Sequence, residues 1–288
     1  MDPKKFTTIA HSGHRYYSPL SEAKAAALVA LFRLDPGDRV LDIGCGRAQL
    51  LLDILRANSG SHGVGVDNNA AFGVLAAANA ETSGLAGRLT MIARPLLEVS
   101  TRHLEGEARG DRGNRESAHA TDAQHFIRRQ TDAEAEVSDQ GNFASIVCVG
   151  SSQAIGSFAD ALAWSFRALR PGGVALFANG YWKQPPADEY LRVLSASADE
   201  MQTHSGNAAL ARHAGYRVLY TMTSSDDEWD EYEGRYCSAV ERYIASNPDD
   251  PDIEAMGQRI RPWHDAYLRW GRDTLGFGFY FLLKPARG

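Results

Sequence analysis

The chain has little cysteine, no long hydrophobic run and no surplus of positive charge, and each shortage removes a class of protein. Its three cysteines, Cys45, Cys148 and Cys237, are odd in number and scattered, so they offer no paired metal spacing and fit a reducing cytoplasm. No apolar stretch approaches bilayer-spanning length, and the opening Met-Asp-Pro-Lys-Lys-Phe lacks the apolar core of a signal peptide. The expectation is a soluble cytoplasmic protein with no membrane partner. A net charge of −6 and a pI of about 5.9 argue against an extended phosphate-binding surface, so no nucleic-acid partner is expected. Repeats and low-complexity tracts are also missing. What is there is a hydrophobic content of 44% in 288 residues, enough for one large α/β domain with a cap or for two modest domains.

Residues 38–50 carry the most information. A short apolar run (Val40, Leu41, Ile43) stops at Gly44 and Gly46, and a helix-competent stretch from Ala48 to Leu55 follows. Strand, glycine turn and helix form a cradle in which backbone without Cβ approaches a ligand and the helix-start N–H groups face it. A dinucleotide loop would carry a third glycine where Gln49 stands, and Asp42 would repel a diphosphate. These features count against a nicotinamide-dependent oxidoreductase. Asp42 instead suits a ligand with a positive centre and an ammonium group. A second short strand, Gly63 to Val66, ends in Asp67, where a carboxylate can accept both hydroxyls of a ribose.

On these residues the chain resembles the class I S-adenosylmethionine-dependent methyltransferases, and Arg170-Pro171-Gly172-Gly173 before the apolar strand Val174–Ala178 strengthens the likeness. The resemblance implies an α/β fold, a doubly wound, mostly parallel seven-stranded Rossmann-like sheet with a helical cap. It also implies S-adenosyl-L-methionine as cofactor. Asp42, Gly44, Cys45 and Gly46 would hold the methionine part, Asp67 the ribose and Asn68 the adenosine. Asp122-Ala123 would meet the adenine, with Ser117 to Ala123 as third strand, and Val149 and Gly150 would close the site at the end of strand Phe143–Gly150. Ser151, Ser152 and Gln153 follow where the family places substrate contacts, although Ser151 and Ser152 also suit helix capping. The Asn/Asp-Pro-Pro-Tyr tetrapeptide of base and amide methylation is missing, as is a second carboxylate set for a divalent metal, so no metal is expected. His11, His14 and Tyr17 lie in a segment resembling the family's cofactor-covering helix and are candidates for proton acceptance.

The remaining elements follow from pattern. Helices are expected over Glu22 to Phe32, Ala70 to Thr82 and Phe158 to Leu169, with strands at His62 to Val66, Tyr216 to Met222 and Leu275 to Leu283; Leu89 to Ile92 reads as a strand or a helix start. Residues 104–141 are rich in charge and poor in aliphatics. The expected division is a cap segment at 1–35, a cofactor-binding core at 36–225 with an insertion at 104–141, a helical cap at 226–272 and a final strand at 273–288. Aromatics repeat at spacings of three and four in the cap, and Tyr181, Trp182, Tyr232 and Trp263 are expected to wall a pocket for a small aromatic or apolar molecule. Glu228-Trp229-Asp230-Glu231-Tyr232-Glu233-Gly234 resembles uncharacterised bacterial small-molecule methyltransferases. The expected reaction is metal-independent methyl transfer to an O, N or S nucleophile by direct displacement, in a monomer or homodimer. The alternatives are a nucleic-acid or protein methyltransferase and a non-catalytic S-adenosylmethionine-binding protein.

Overall fold

In the computed structural model, residues 1–99, 137 and 142–286 are described. Helix α1 (Pro3–Ala10) starts with proline at its first turn and Asp2 as N-cap; α2 (Glu22–Val29) is capped by Ser21. The first βαβ unit is β1 (Arg39–Ile43), α3 (Gln49–Ala57) and β2 (His62–Val66), followed by α4 (Ala70–Thr82) and β3 (Leu89–Ile92). Then come β4 (Phe143–Val149), α5 (Phe158–Ala168), β5 (Leu169–Trp182), α6 (Asp188–Leu194), α7 (His204–His213) and β6 (Arg217–Thr223). The cap helices α8 (Asp226–Ser246) and α9 (Ile253–Ala266) lead through a π-helical turn at Tyr267–Gly271 to β7 (Leu275–Leu283).

The strands form one seven-stranded sheet in the order β3-β2-β1-β4-β5-β7-β6. The first five pair in parallel and β7 runs antiparallel between β5 and β6. The chain winds outward from β1 to β3 and then returns to β4 on the other side of β1. That reversal opens a crevice beyond the carboxyl ends of β1 and β4, where open α/β sheets take their ligands. The apolar runs at β1 and β4 are continuous because helices cover both faces: Val40 and Val147 pack with Leu51 and Phe279, while Leu41, Ile43 and Ile146 pack with Leu162 and Phe177.

Two expectations change. The place beside β2 is taken by Leu89–Ile92, in register Gly63↔Leu89 to Val66↔Ile92. Ser117 to Ala123, and with them Asp122 and Ala123, lie outside the described residues. The Arg170–Gly173 turn is drawn into β5 as a shift of register against β4, with Gly172 at φ +77°. Helix α1 packs on α8 and α9: its Phe6 and Ala10 are buried with Cys237, Val240, Met256 and Ile260. Lys5 fastens this unit through Asp250 and Asp252, at 2.7 and 2.8 Å.

Candidate functional site

A cavity of about 740 Å³ lies over the carboxyl ends of β1 to β4. Its floor is Asp42 to Gly46, Asp67 to Asn69, Arg94 to Leu96 and Val149 to Ser151, and its roof includes His11, Tyr17 and Tyr232. The N-terminal segment and α8 thus roof the crevice that the strand order opens.

The turn after β1 is held in a strained path. Gly44, Gly46 and even Ala48 have positive φ, at +67°, +55° and +57°. The Gly44 and Cys45 amides donate to the Val66 carbonyl at 2.8 and 3.1 Å, tying the turn to the end of β2. The glycines serve the protein's own packing as well as a ligand's approach. A Cβ at Gly44 would fall 2.3 Å from Cβ of Ser151, and one at Gly46 would fall 2.5 Å from the Tyr17 ring. The Ser151 hydroxyl donates to the Ile43 carbonyl, so it knits the ends of β1 and β4 together.

Two carboxylates face this space. Asp42 is 4% exposed, and burial, followed by the nearby charge of Asp67, pushes its pKa well up. Among the described residues it has no ion pair. Asp67 accepts the Gly46 amide at 2.9 Å and the Asn69 amide at 2.8 Å. Burial raises its pKa while those two N–H groups oppose the rise. A carboxylate has about four acceptor sites, so roughly half of Asp67's capacity remains. A buried and a partly buried acid, both with raised pKa, on one cavity and no cation paired with Asp42 suit a ligand that brings positive charge and hydroxyl donors.

The roof is built from rings. His11 Nδ1 lies 2.9 Å from the Thr7 carbonyl, so that nitrogen carries the proton and donates. Its Nε2 then accepts from the Tyr232 hydroxyl at 3.1 Å. Burial lowers the His11 pKa to about 4, and the ring is neutral at pH 7. His14 donates from Nε2 to the Tyr232 carbonyl at 2.9 Å; its pKa is also lowered by burial, and its Nδ1 is buried without a partner. Tyr17 stacks near both His11 and Phe72, with ring centroids 4.7 and 4.8 Å apart.

Asp42, Gly44, Cys45, Gly46, Asp67, Asn68, Val149, Gly150, Ser151, Gln153, His11, Tyr17 and Tyr232 all line the cavity, whereas Ser152 and His14 stand behind its wall. Tyr181, Trp182 and Trp263 do not reach it. Tyr181 packs on Gly276 and His204, Trp182 sits in a separate cluster with Tyr190 and Ala266, and Trp263 donates to Glu233 at 2.7 Å. Trp263 belongs to the periodic cap stripe, whose buried face turns toward the cap's own interior, whereas Tyr181 and Trp182 end β5. Sequence reasoning missed Lys4, Thr7, Arg15, Asn69, Phe72 and Arg94. Asn69 alone carried a local signal, as the N-cap of α4 directly after the Asp67 strand.

Among the described residues, no group of three or more His, Cys, Asp or Glu could hold a metal, and no helix is long and apolar enough to cross a membrane.

The fold is shared with known proteins. The methyltransferase domain family matches residues 14–221, and the chain belongs to it. It is an S-adenosylmethionine-dependent methyltransferase of class I. An uncharacterized protein of Escherichia coli K12, YjhP, is 27% identical over 285 residues, covering 98% of this chain and 99% of YjhP. A methyltransferase from Geobacter sulfurreducens, solved with S-adenosyl-L-homocysteine, is 26% identical with a TM-score of 0.76, covering 97% of this chain and 98% of that one. A counterpart from Thiobacillus denitrificans, also solved with S-adenosyl-L-homocysteine, is 25% identical with a TM-score of 0.77 and full coverage of both chains.

Proposed function

We propose that the cavity over β1 to β4 holds S-adenosyl-L-methionine and that the enzyme methylates an O, N or S nucleophile of a small aromatic or apolar molecule, without a metal. One observation carries this reading: two acids with raised pKa, the buried Asp42 and the partly buried Asp67, stand at the ends of adjacent strands in a single cavity. Two methyltransferases that match along nearly their whole length were solved with the demethylated cofactor, which supports it.

In this reading Asp42 faces the charged methionine end, with the turn Gly44, Cys45 and Gly46 beneath it. Asp67 receives the ribose hydroxyls, and Asn68 lies beside the adenosine. Val149 and Gly150 close the floor. The bound cofactor supplies a methyl group already activated by its sulfonium, so the protein's work is alignment and exclusion of water. Residues 1–35 and 226–272 would act together as the cap, because α1 shares a core with α8 and α9. The cap leaves space of about 740 Å³, within the range of small-ligand sites and shared here with a nucleoside. Gln153, Ser151 and Tyr232 supply polar groups to a substrate. The acidic balance and the closing cap disfavour an RNA substrate.

Calorimetric titration with S-adenosylhomocysteine tests the cofactor step, and Asp67→Ala is expected to weaken binding strongly. Methyl transfer from tritiated cofactor to a panel of phenols, thiols and amines, with bulk RNA as a comparison, tests the substrate class. Labelling of RNA alone would overturn it.

A further inference from the structure

The roof of the cavity contains a hydrogen-bonded chain to which the methyl-transfer reading assigns no proton transfer. It runs from the Thr7 carbonyl through both nitrogens of His11 to the hydroxyl of Tyr232, at 2.9 and 3.1 Å. All three residues line the cavity. Thr7 fixes the tautomer, so the only vacant lone pair on His11 points at Tyr232 rather than into bulk water. The groups packed on His11 are Thr7, His14, Tyr17, Phe72, Tyr232 and Tyr236, none of them acidic.

We propose that Tyr232 is the catalytic residue that takes the proton of the attacking atom, that His11 receives the proton Tyr232 gives up, and that the acceptor is therefore a hydroxyl or thiol compound rather than an alkylamine. The proposal rests on the cofactor reading above. The balance is simple. The acceptor's lone pair forms the bond to the methyl carbon as the carbon–sulfur bond breaks and its electron pair stays on sulfur. The acceptor's proton passes to the Tyr232 oxygen while the Tyr232 proton passes to Nε2 of His11. A neutral ether or thioether product, a neutral sulfide and an imidazolium remain, and the imidazolium returns its proton to water when the cavity opens.

The class of acceptor follows from proton affinity. Burial makes His11 a weak base with a pKa of about 4, and burial raises the Tyr232 phenol well above its ordinary value. Such a base cannot deprotonate an alkylammonium, whose pKa lies near that of lysine, about 10.4. A hydroxyl or thiol is different: as its bond to carbon forms it turns into an oxonium or sulfonium, acidic enough to protonate even this histidine. The weakness of the base also keeps His11 neutral and ready across the physiological pH range.

The experiment compares His11→Gln and Tyr232→Phe with the wild type on phenol, thiophenol, 4-nitrophenol and benzylamine at pH 8. On phenol, His11→Gln is expected to lower kcat by roughly 100-fold or more, the span of general acid–base effects, with KM and S-adenosylhomocysteine affinity within about threefold of wild type. On 4-nitrophenol, already largely ionised, the loss should be small, because no proton has to be moved. Equal losses on both phenols, no loss on phenol, or preferred methylation of benzylamine would overturn the proposal. Nitrogen-15 spectra of histidine-labelled wild type with S-adenosylhomocysteine give an arm that needs no acceptor. A neutral Nδ1–H tautomer at His11, perturbed at Nε2 by Tyr232→Phe, supports the relay; an imidazolium or an Nε2–H tautomer at pH 7 sinks it. Should the wild type methylate nothing in the panel, the small-molecule reading fails while the spectra still decide the relay.

Discussion

At Gly44 the backbone stands at φ +67° with Ser151 pressed against the place where a Cβ would be. Gly44→Ala is expected to cost about 2–4 kcal/mol, from left-handed strain plus the Ser151 contact, and to abolish S-adenosylhomocysteine binding. Adding Ser151→Gly removes the contact but not the strain, so the double variant should recover part of the stability in urea unfolding, a direct coupling measurement. Asp67→Asn keeps one oxygen acceptor while losing the charge, and should weaken S-adenosylhomocysteine by roughly 10-fold to 100-fold in calorimetry, the span of hydrogen bonds to a charged group. Asp42 and Asp67 are legible in the sequence because each stands at a fixed offset from an apolar run, and strand geometry alone carries it to the sheet's edge. The pairing of His11 with Tyr232 is not legible there: 221 residues separate them, and no local pattern couples them.

The cap elements have a pH dependence of their own. Glu233 of α8 is 4% exposed, and burial raises its carboxyl from the ordinary 4.5 to about 7, opposed by the Trp263 indole N–H. A carboxyl whose folded-state pKa is raised stays protonated over a wider range when folded, so folding loses stability as pH climbs from about 4.5 to about 7 and the full penalty holds above that. The shift corresponds to roughly 3 kcal/mol. Glu233→Gln keeps an oxygen for the indole and removes the charge. Its unfolding free energy should match wild type at pH 4.5 and exceed it by up to that amount at pH 8.5, read from urea midpoints; equal values at both would refute the assignment. At this scale β1, β2, β4, β7 and α4 are readable from apolar runs and alanine content. The third strand is not, because four residues, Leu89–Ile92, are too few for a periodicity to separate strand from helix. The aromatic stripe is real, yet a stripe states that a face is buried and says nothing about its partner.

For the molecule as a whole, a ligand bound only by the folded form must stabilise it. S-adenosylhomocysteine at 100 times its Kd should add about 2.7 kcal/mol and raise Tm by about 4–5 °C, while reduced nicotinamide dinucleotide should leave Tm unchanged. A thermal scan with both ligands checks this, and a shift with the dinucleotide would contradict the absent third glycine and the acid at position 42. By itself the sequence determined the parallel α/β core, its glycine turn and its two strand-end acids, because those depend on bonding geometry within a few residues of chain. Only the tertiary structure decided that α1 shares a core with α8 and α9, that Ser151 and Tyr17 occupy the space beside the glycines, and that His11 is hydrogen-bonded to Tyr232. Those facts depend on which surfaces meet when segments hundreds of residues apart compete to leave water, and no local pattern encodes that outcome.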